Sequence, residues 1–277
     1  MEWNKIVKAI QDIITDIKEQ CIIQNTAIRD SIFSILENNC TVIYYPIENE
    51  KNRGFHIKKI VKDNLEDFVY INTAKPITEQ IFAAAHEFGH IWEVAEKVWK
   101  KIGYTGRPTE EEEEEITNRF AAELLMPTEA FINVFFAHMD ELGIKPGVVK
   151  LDDVVRVIVL QMSDFMVPYE SVRKRLVETD LMKQEAANYL LSREEEILKK
   201  VAVYIKDQNT YLGNGTGVKT VSGIRILIEN AESQGNVDEY LLKKIKKDFD
   251  ILNMSIAEEK FEIHIGDDSD EEKRGID

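Results

Sequence analysis

The chain has 277 residues, 44% of them hydrophobic, and a formal net charge of −16, which is enough apolar side chain for a core in one large or two modest domains. No stretch approaches the roughly 18 apolar residues of a membrane-spanning helix, and so acidic a chain offers no phosphate-binding surface, which argues against non-specific nucleic-acid binding. The run 110–115 and the segment 258–277 together carry twelve of the sixteen net negative charges, so the remainder is only mildly acidic.

Residues 1–20 carry Ile6, Ile10, Ile13, Ile14 and Ile17 at helical spacing and are expected to form an amphipathic helix. Their charge sets them apart from a signal peptide, so the protein is expected to stay in the cytoplasm. A second helix should end near Glu37. Segments 41–47, 55–61 and 67–72 are rich in β-branched and aromatic residues, with Asn52, Arg53 and Gly54 marking a turn, and predict a small antiparallel sheet. Thr78 is then expected to cap a helix over 79–101, and Thr109 with Glu112 forms a capping-box pattern for a helix over 110–126, which Pro127 stops. Thr128 should cap another. Two helices separated by a turn at 163–168 are expected over 151–181, followed by a charged helix to about Asp207, a Gly-rich turn at 213–217, one or two further helices and a disordered acidic end after Gly266. Cys21 and Cys40 are too few for a disulfide framework and are read as free thiols.

The chemistry concentrates in His86-Glu87-Phe88-Gly89-His90. Residues four apart on a helix share a face, so both imidazoles can address one ion. Glu87 sits slightly round the helix, where its carboxylate can take a proton from water that zinc (Zn2+) acidifies, without itself binding the metal. The flanking Phe82, Ala83, Ala84, Ala85, Phe88, Ile91 and Trp92 are apolar almost all round, so the helix should be buried, and buried histidines need partners. Gly89 costs about 1 kcal/mol relative to Ala in a helix interior, which implies a close approach to its backbone. A catalytic zinc takes three protein ligands and keeps one open position. The 110–126 helix can supply the third: Glu114, Asn118, Ala121 and Leu125 share a face that becomes small and apolar, so Glu114 can bind the metal while Asn118 hydrogen-bonds a ligand. Glu115, rotated by about 100 degrees, and Glu111, one turn earlier, are the alternatives.

The pairing of FAAAHEFGH with EEITNRFAAELLMP resembles the ImmA/IrrE family of metallopeptidases, and the likeness extends from about residue 40 to 181, through FMVPYESVRKRL. The resemblance implies an α+β fold, a mainly helical zincin-like metallopeptidase core with a small antiparallel β-sheet, followed by helical C-terminal segments. It also implies a gluzincin-like site with His86, His90 and Glu114 as ligands and Glu87 as base. Ile116 and Thr117 depart from it, since many members have an acidic residue and an alanine there. The expected organisation is a peptidase domain over 1–140, a helix-turn-helix-like module over 141–192, and a helical extension with an acidic tail over 193–277.

Tyr104, His138 and Tyr169 are possible oxyanion donors without a signature. His56 and His264 have no ligand-spaced partner. Trp92, Trp99, Phe131, Phe135 and Phe136 read as core, and Arg173, Lys174 and Arg175 as a solvated face rather than a DNA-reading one. The expected function is a zinc endopeptidase whose protein substrate, by resemblance, is a helix-turn-helix repressor in a stress, mobile-element or defence response. Neither a membrane nor direct nucleic-acid contact is expected. The alternatives are a non-catalytic zinc-containing sensor, or a DNA-binding regulator acting through 151–181.

Overall fold

The computed structural model describes residues 2–251 apart from 22, 24–26, 50, 62, 146, 148, 236 and 250. The expected acidic tail and His264 lie outside the described residues. Two compact units are present, Met1–Gln234 and Gly235–Asp277. In the second, α12 (Glu239–Asp248; α1–α11 follow below) is capped by Asp238, whose carboxylate accepts from the Tyr240 and Leu241 amides.

The first unit begins with α1 (Trp3–Gln20), which buries Ile6, Ile10, Ile13, Ile14 and Ile17 as its spacing requires, and α2 (Ser31–Glu37). Strands β1 (Thr41–Tyr45), β2 (Gly54–Val61) and β3 (Asn64–Asn72) follow, and with β4 (Thr220–Val221) they form a sheet of order β2-β3-β1-β4. The α+β class stands, but the sheet expected to be antiparallel is mixed: β1 runs parallel to β3, while β2 and β4 are antiparallel to their neighbours. The cause lies in the connection after β1, which carries β2 past β3 instead of turning back. Asn72, fully buried, fastens both ends of that connection, donating to Ile47 O (2.9 Å) and Asn52 O (2.8 Å) and accepting from Ile47 N (3.0 Å). Gly54 opens β2 because a Cβ there would lie 2.8 Å from Tyr70 O. Another neighbour, Ala83, identifies the sheet face that packs on α3 (Ile77–Ile91).

The helix expected over 79–101 is two helices, α3 and α4 (Val94–Lys101). Glu93 adopts φ 50 between them, and the bend lets Val94, Ala95, Val98 and Trp99 bury against α1 and α5 (Glu110–Leu125). Thr78 and Thr128 are not caps. Pro76 and Pro127 occupy those positions with extended ψ, and both hydroxyls are used elsewhere, Thr78 on Leu212 O and Thr128 on Glu123.

Next come α6 (Thr128–Glu141), α7 (Leu151–Phe165), α8 (Tyr169–Glu178), α9 (Gln184–Ser192) and α10 (Glu194–Gln208). A 3-10 turn at Thr210–Gly213 leads to β4, which the sequence did not suggest, and α11 (Ile224–Gln234) ends the unit. Trp99 and Phe131 are buried and Trp92 and Phe135 half-buried, but Phe136, expected in the core, is 47% exposed. The basic stretch of α8 also departs from expectation. Arg173 and Arg175 are buried, and only Lys174 is solvated. Arg175 donates to Glu123, to Met126 O (2.9 Å) and to Thr128 Oγ1 (2.8 Å), tying α8 to the end of α5.

Gly89 is explained by α5. A Cβ would sit 2.8 Å from Thr117 Cγ2 and 2.9 Å from Phe120 Cδ1, so α3 and α5 touch closely just before His90. Gly89→Ala is expected to destabilise the protein by about 1–3 kcal/mol through overpacking, offset in part by Ala's better helix propensity. Denaturant unfolding would measure it, and a stabilised variant would contradict the close approach.

Candidate metal centre

The start of α5 decides which glutamate faces the histidines. Thr109 Oγ1 accepts from Glu112 N (3.3 Å) and Glu112 Oε2 accepts from Thr109 N (2.9 Å), the expected capping box, which anchors the helix at Glu110. Glu110 to Glu113 fill the first turn, where carboxylates complement the helix dipole. Glu114 lies one turn in and meets α3.

Three ligand atoms converge there. His86 Nε2 and His90 Nε2 are 3.1 Å apart, and Glu114 places Oε2 3.3 Å from the first and Oε1 3.3 Å from the second. Among the described residues this is the one group of three such side chains close enough to hold an ion. A tetrahedral zinc with bonds of about 2.0–2.1 Å separates its ligands by about 3.3 Å, so the donor set and spacing fit that ion. Glu111 and Glu115 are exposed and outside this group.

Each imidazole is held from behind. His86 Nδ1 donates to Asn118 Oδ1 (3.1 Å) and His90 Nδ1 to Glu113 Oε1 (3.2 Å), which leaves both Nε2 lone pairs turned to the centre. Asn118, one turn beyond Glu114, makes this contact with His86. Glu113 was missed, read only as part of an acidic helix start; the usable signal was that the second histidine also needs an orienting acceptor. Glu113→Ala and Asn118→Ala are each expected to weaken metal affinity by about 10–100-fold. Competition with a chromophoric chelator measures this, and unchanged affinity in Glu113→Ala would return that residue to a purely helix-capping role.

Glu87 is 7% exposed beside His86. Burial lifts its carboxyl to about 7, His86 opposing and the Glu114 charge adding to the rise. A cation in the site would draw it down.

Three of the other candidates have contacts elsewhere. His138 Nε2 lies 2.5 Å from Asp164 Oδ2, His56 Nε2 lies 2.6 Å from Asp67 Oδ1, and Tyr104 stacks on Trp99 with ring centroids 4.6 Å apart. Tyr169 is buried and its hydroxyl has no partner among the described residues. Cys21 and Cys40 are free, and burial pushes the Cys40 thiol up to about 12. No single described helix is long and apolar enough to cross a membrane.

The family model described as IrrE N-terminal-like domain, Peptidase_M78, matches residues 37–177. No curated protein matches. Among solved structures, a Mycobacterium tuberculosis transcriptional regulator is similar at 12% identity and a TM-score of 0.40, with 62% of this chain and 46% of that chain covered. The chain thus spans less than half of that regulator's length. Because the family match takes in half of the chain, and His86, Glu87, His90, Glu113, Glu114 and Asn118 all lie within it, the chain belongs to the ImmA/IrrE family of peptidases.

Proposed function

We propose that the protein is a cytoplasmic zinc-dependent endopeptidase that cleaves a regulatory protein, a transcriptional repressor of helix-turn-helix type. The observation that carries this reading is the convergence of His86, His90 and Glu114 within 3.3 Å of one another beside a buried Glu87. A bound zinc ion would supply Lewis acidity, acidifying water and polarising a peptide carbonyl. Glu87 would accept the water's proton on its carboxylate and return it to the leaving amine. Asn118 and Glu113 keep the two imidazoles in the tautomer that ligation needs. A purely structural metal site has no use for a buried base next to its ligands, which weighs against a non-catalytic sensor.

The surroundings suit a polypeptide. A groove of about 1140 Å³ runs past Asn118 and past Phe82, one turn before His86. Its walls include Trp3 and Lys8 of α1 and Lys174 of α8, a mixed apolar and charged lining that an extended polypeptide can engage. Burial of Arg173 and Arg175 removes two of the three cations that a DNA-reading role would use, which supports a protein substrate over direct DNA contact.

The test is incubation of the zinc-loaded protein with repressors from its genomic neighbourhood. One of them should be cut at a defined bond, and the cutting should stop on chelation. A zinc-loaded protein that leaves all of them intact would count against the repressor reading.

A further inference from the structure

The metal helix begins without a side-chain cap of its own. Pro76 stands at its N-cap, so the first amide, that of Ile77, needs an acceptor from elsewhere. Asn214 O supplies it at 2.9 Å. This is one contact of a strap, residues 210–222, that lies beyond the family-matched 37–177 and wraps the β3–α3 junction. Thr73 Oγ1 donates to Val218 O (2.7 Å), Gly217 N donates to Thr73 O (2.9 Å), Thr78 Oγ1 donates to Leu212 O (3.4 Å), and Pro76 bridges to Gly215. Thr216 Oγ1 donates to Gln80 Oε1 (3.1 Å), and the Gln80 amide donates back to Lys75 O (2.6 Å). Thr73, Thr78 and Gln80 are at most 2% exposed. A Cβ at Gly215 would lie 2.6 Å from Ala74 O, so the strap backbone lies directly on the junction. Beyond it, β4 pairs with β1, and Ser222 exchanges two hydrogen bonds with the Val42 backbone (2.8 and 2.9 Å).

We propose that this strap positions the metal centre: it holds the first turn of α3, while the Gly89 contact with α5 holds the last. Strands β2 and β3 and helix α2 pack along α3 as well, so release of the strap leaves room only for a small pivot of the helix's first turn about the Gly89 contact. Metal sites tolerate ligand displacements of only about 0.2 Å, so such a pivot would carry His86 out of register with Glu114. Thr216 and Gly215 are therefore positioning residues, acting through Gln80 and the Ala74 carbonyl. The inference rests on the metal reading above and not on peptidase activity.

Zinc affinity by chelator competition, the cobalt(II) absorption spectrum and amide hydrogen exchange at Ile77 are compared in full-length wild type, Gly215→Val, Thr216→Val and Thr216→Ser. Gly215→Val and Thr216→Val should speed exchange at Ile77, bind zinc on the order of tenfold more weakly and alter the cobalt spectrum, while Thr216→Ser keeps wild-type behaviour. Wild-type affinity and spectrum in Gly215→Val would overturn the proposal, leaving the strap a fastening of the fold alone. If Gly215→Val does not fold, Thr216→Val combined with Thr78→Val replaces it under the same criterion. Wild type that binds no zinc would remove the metal centre itself, and wild type that binds zinc but cuts nothing would leave the strap result intact.

Discussion

Glu87→Gln is expected to lower peptide cleavage by on the order of 10²–10⁴-fold, the usual contribution of a positioned acid–base group, with zinc content unchanged. The amide is nearly isosteric with the carboxylate but cannot take up a proton. Glu87 lies outside the His86, His90 and Glu114 group, so its loss should spare the ion. Cleavage is followed under single turnover on whichever repressor the wild type cuts, with zinc measured on the same samples. A variant that loses its zinc would make Glu87 a ligand rather than a base.

Arg175→Met is expected to cost about 3–5 kcal/mol, because removing one partner of a buried pair leaves the other charge uncompensated. Arg175 is fully buried and Glu123 nearly so; the pair is what joins α8 to the end of α5. Burial alone would raise the Glu123 carboxyl, but the Arg175 charge and hydrogen bonds outweigh it and hold it below its ordinary value. The sign of the pH effect follows. Glu123's contribution is fully present above the unfolded carboxyl's pKa of about 4.3 and is lost as pH falls through the lower folded value. Denaturant melts at neutral pH measure the cost, with exposed Lys174→Met, expected within about 0.5 kcal/mol of wild type, as the control. Equal effects of the two substitutions would contradict the buried role.

Local chemistry made much of the site legible from residues alone. HEFGH states its own geometry through the four-residue repeat, the Thr109–Glu112 box sets where α5 begins, and Gly89 announced a close neighbour that proved to be Thr117 and Phe120. What stayed hidden depended on partners far along the chain. Arg175 reads as a surface cation until Glu123, 52 residues earlier, is placed beside it. Thr78 reads as a cap because Leu212, 134 residues later, is out of view. The mixed sheet follows from Asn72 closing a loop across 25 and 20 residues, which no strand periodicity records. Glu113 was obscured differently, by five other glutamates in the same run.

The claim on which everything else depends is that Glu114 completes the metal site with His86 and His90. Zinc content after exhaustive dialysis tests it most directly, in wild type, Glu114→Ala and Glu115→Ala. Wild type and Glu115→Ala should each retain about one zinc per chain, and Glu114→Ala should lose it. Equal retention in the two alanine variants would contradict the assignment.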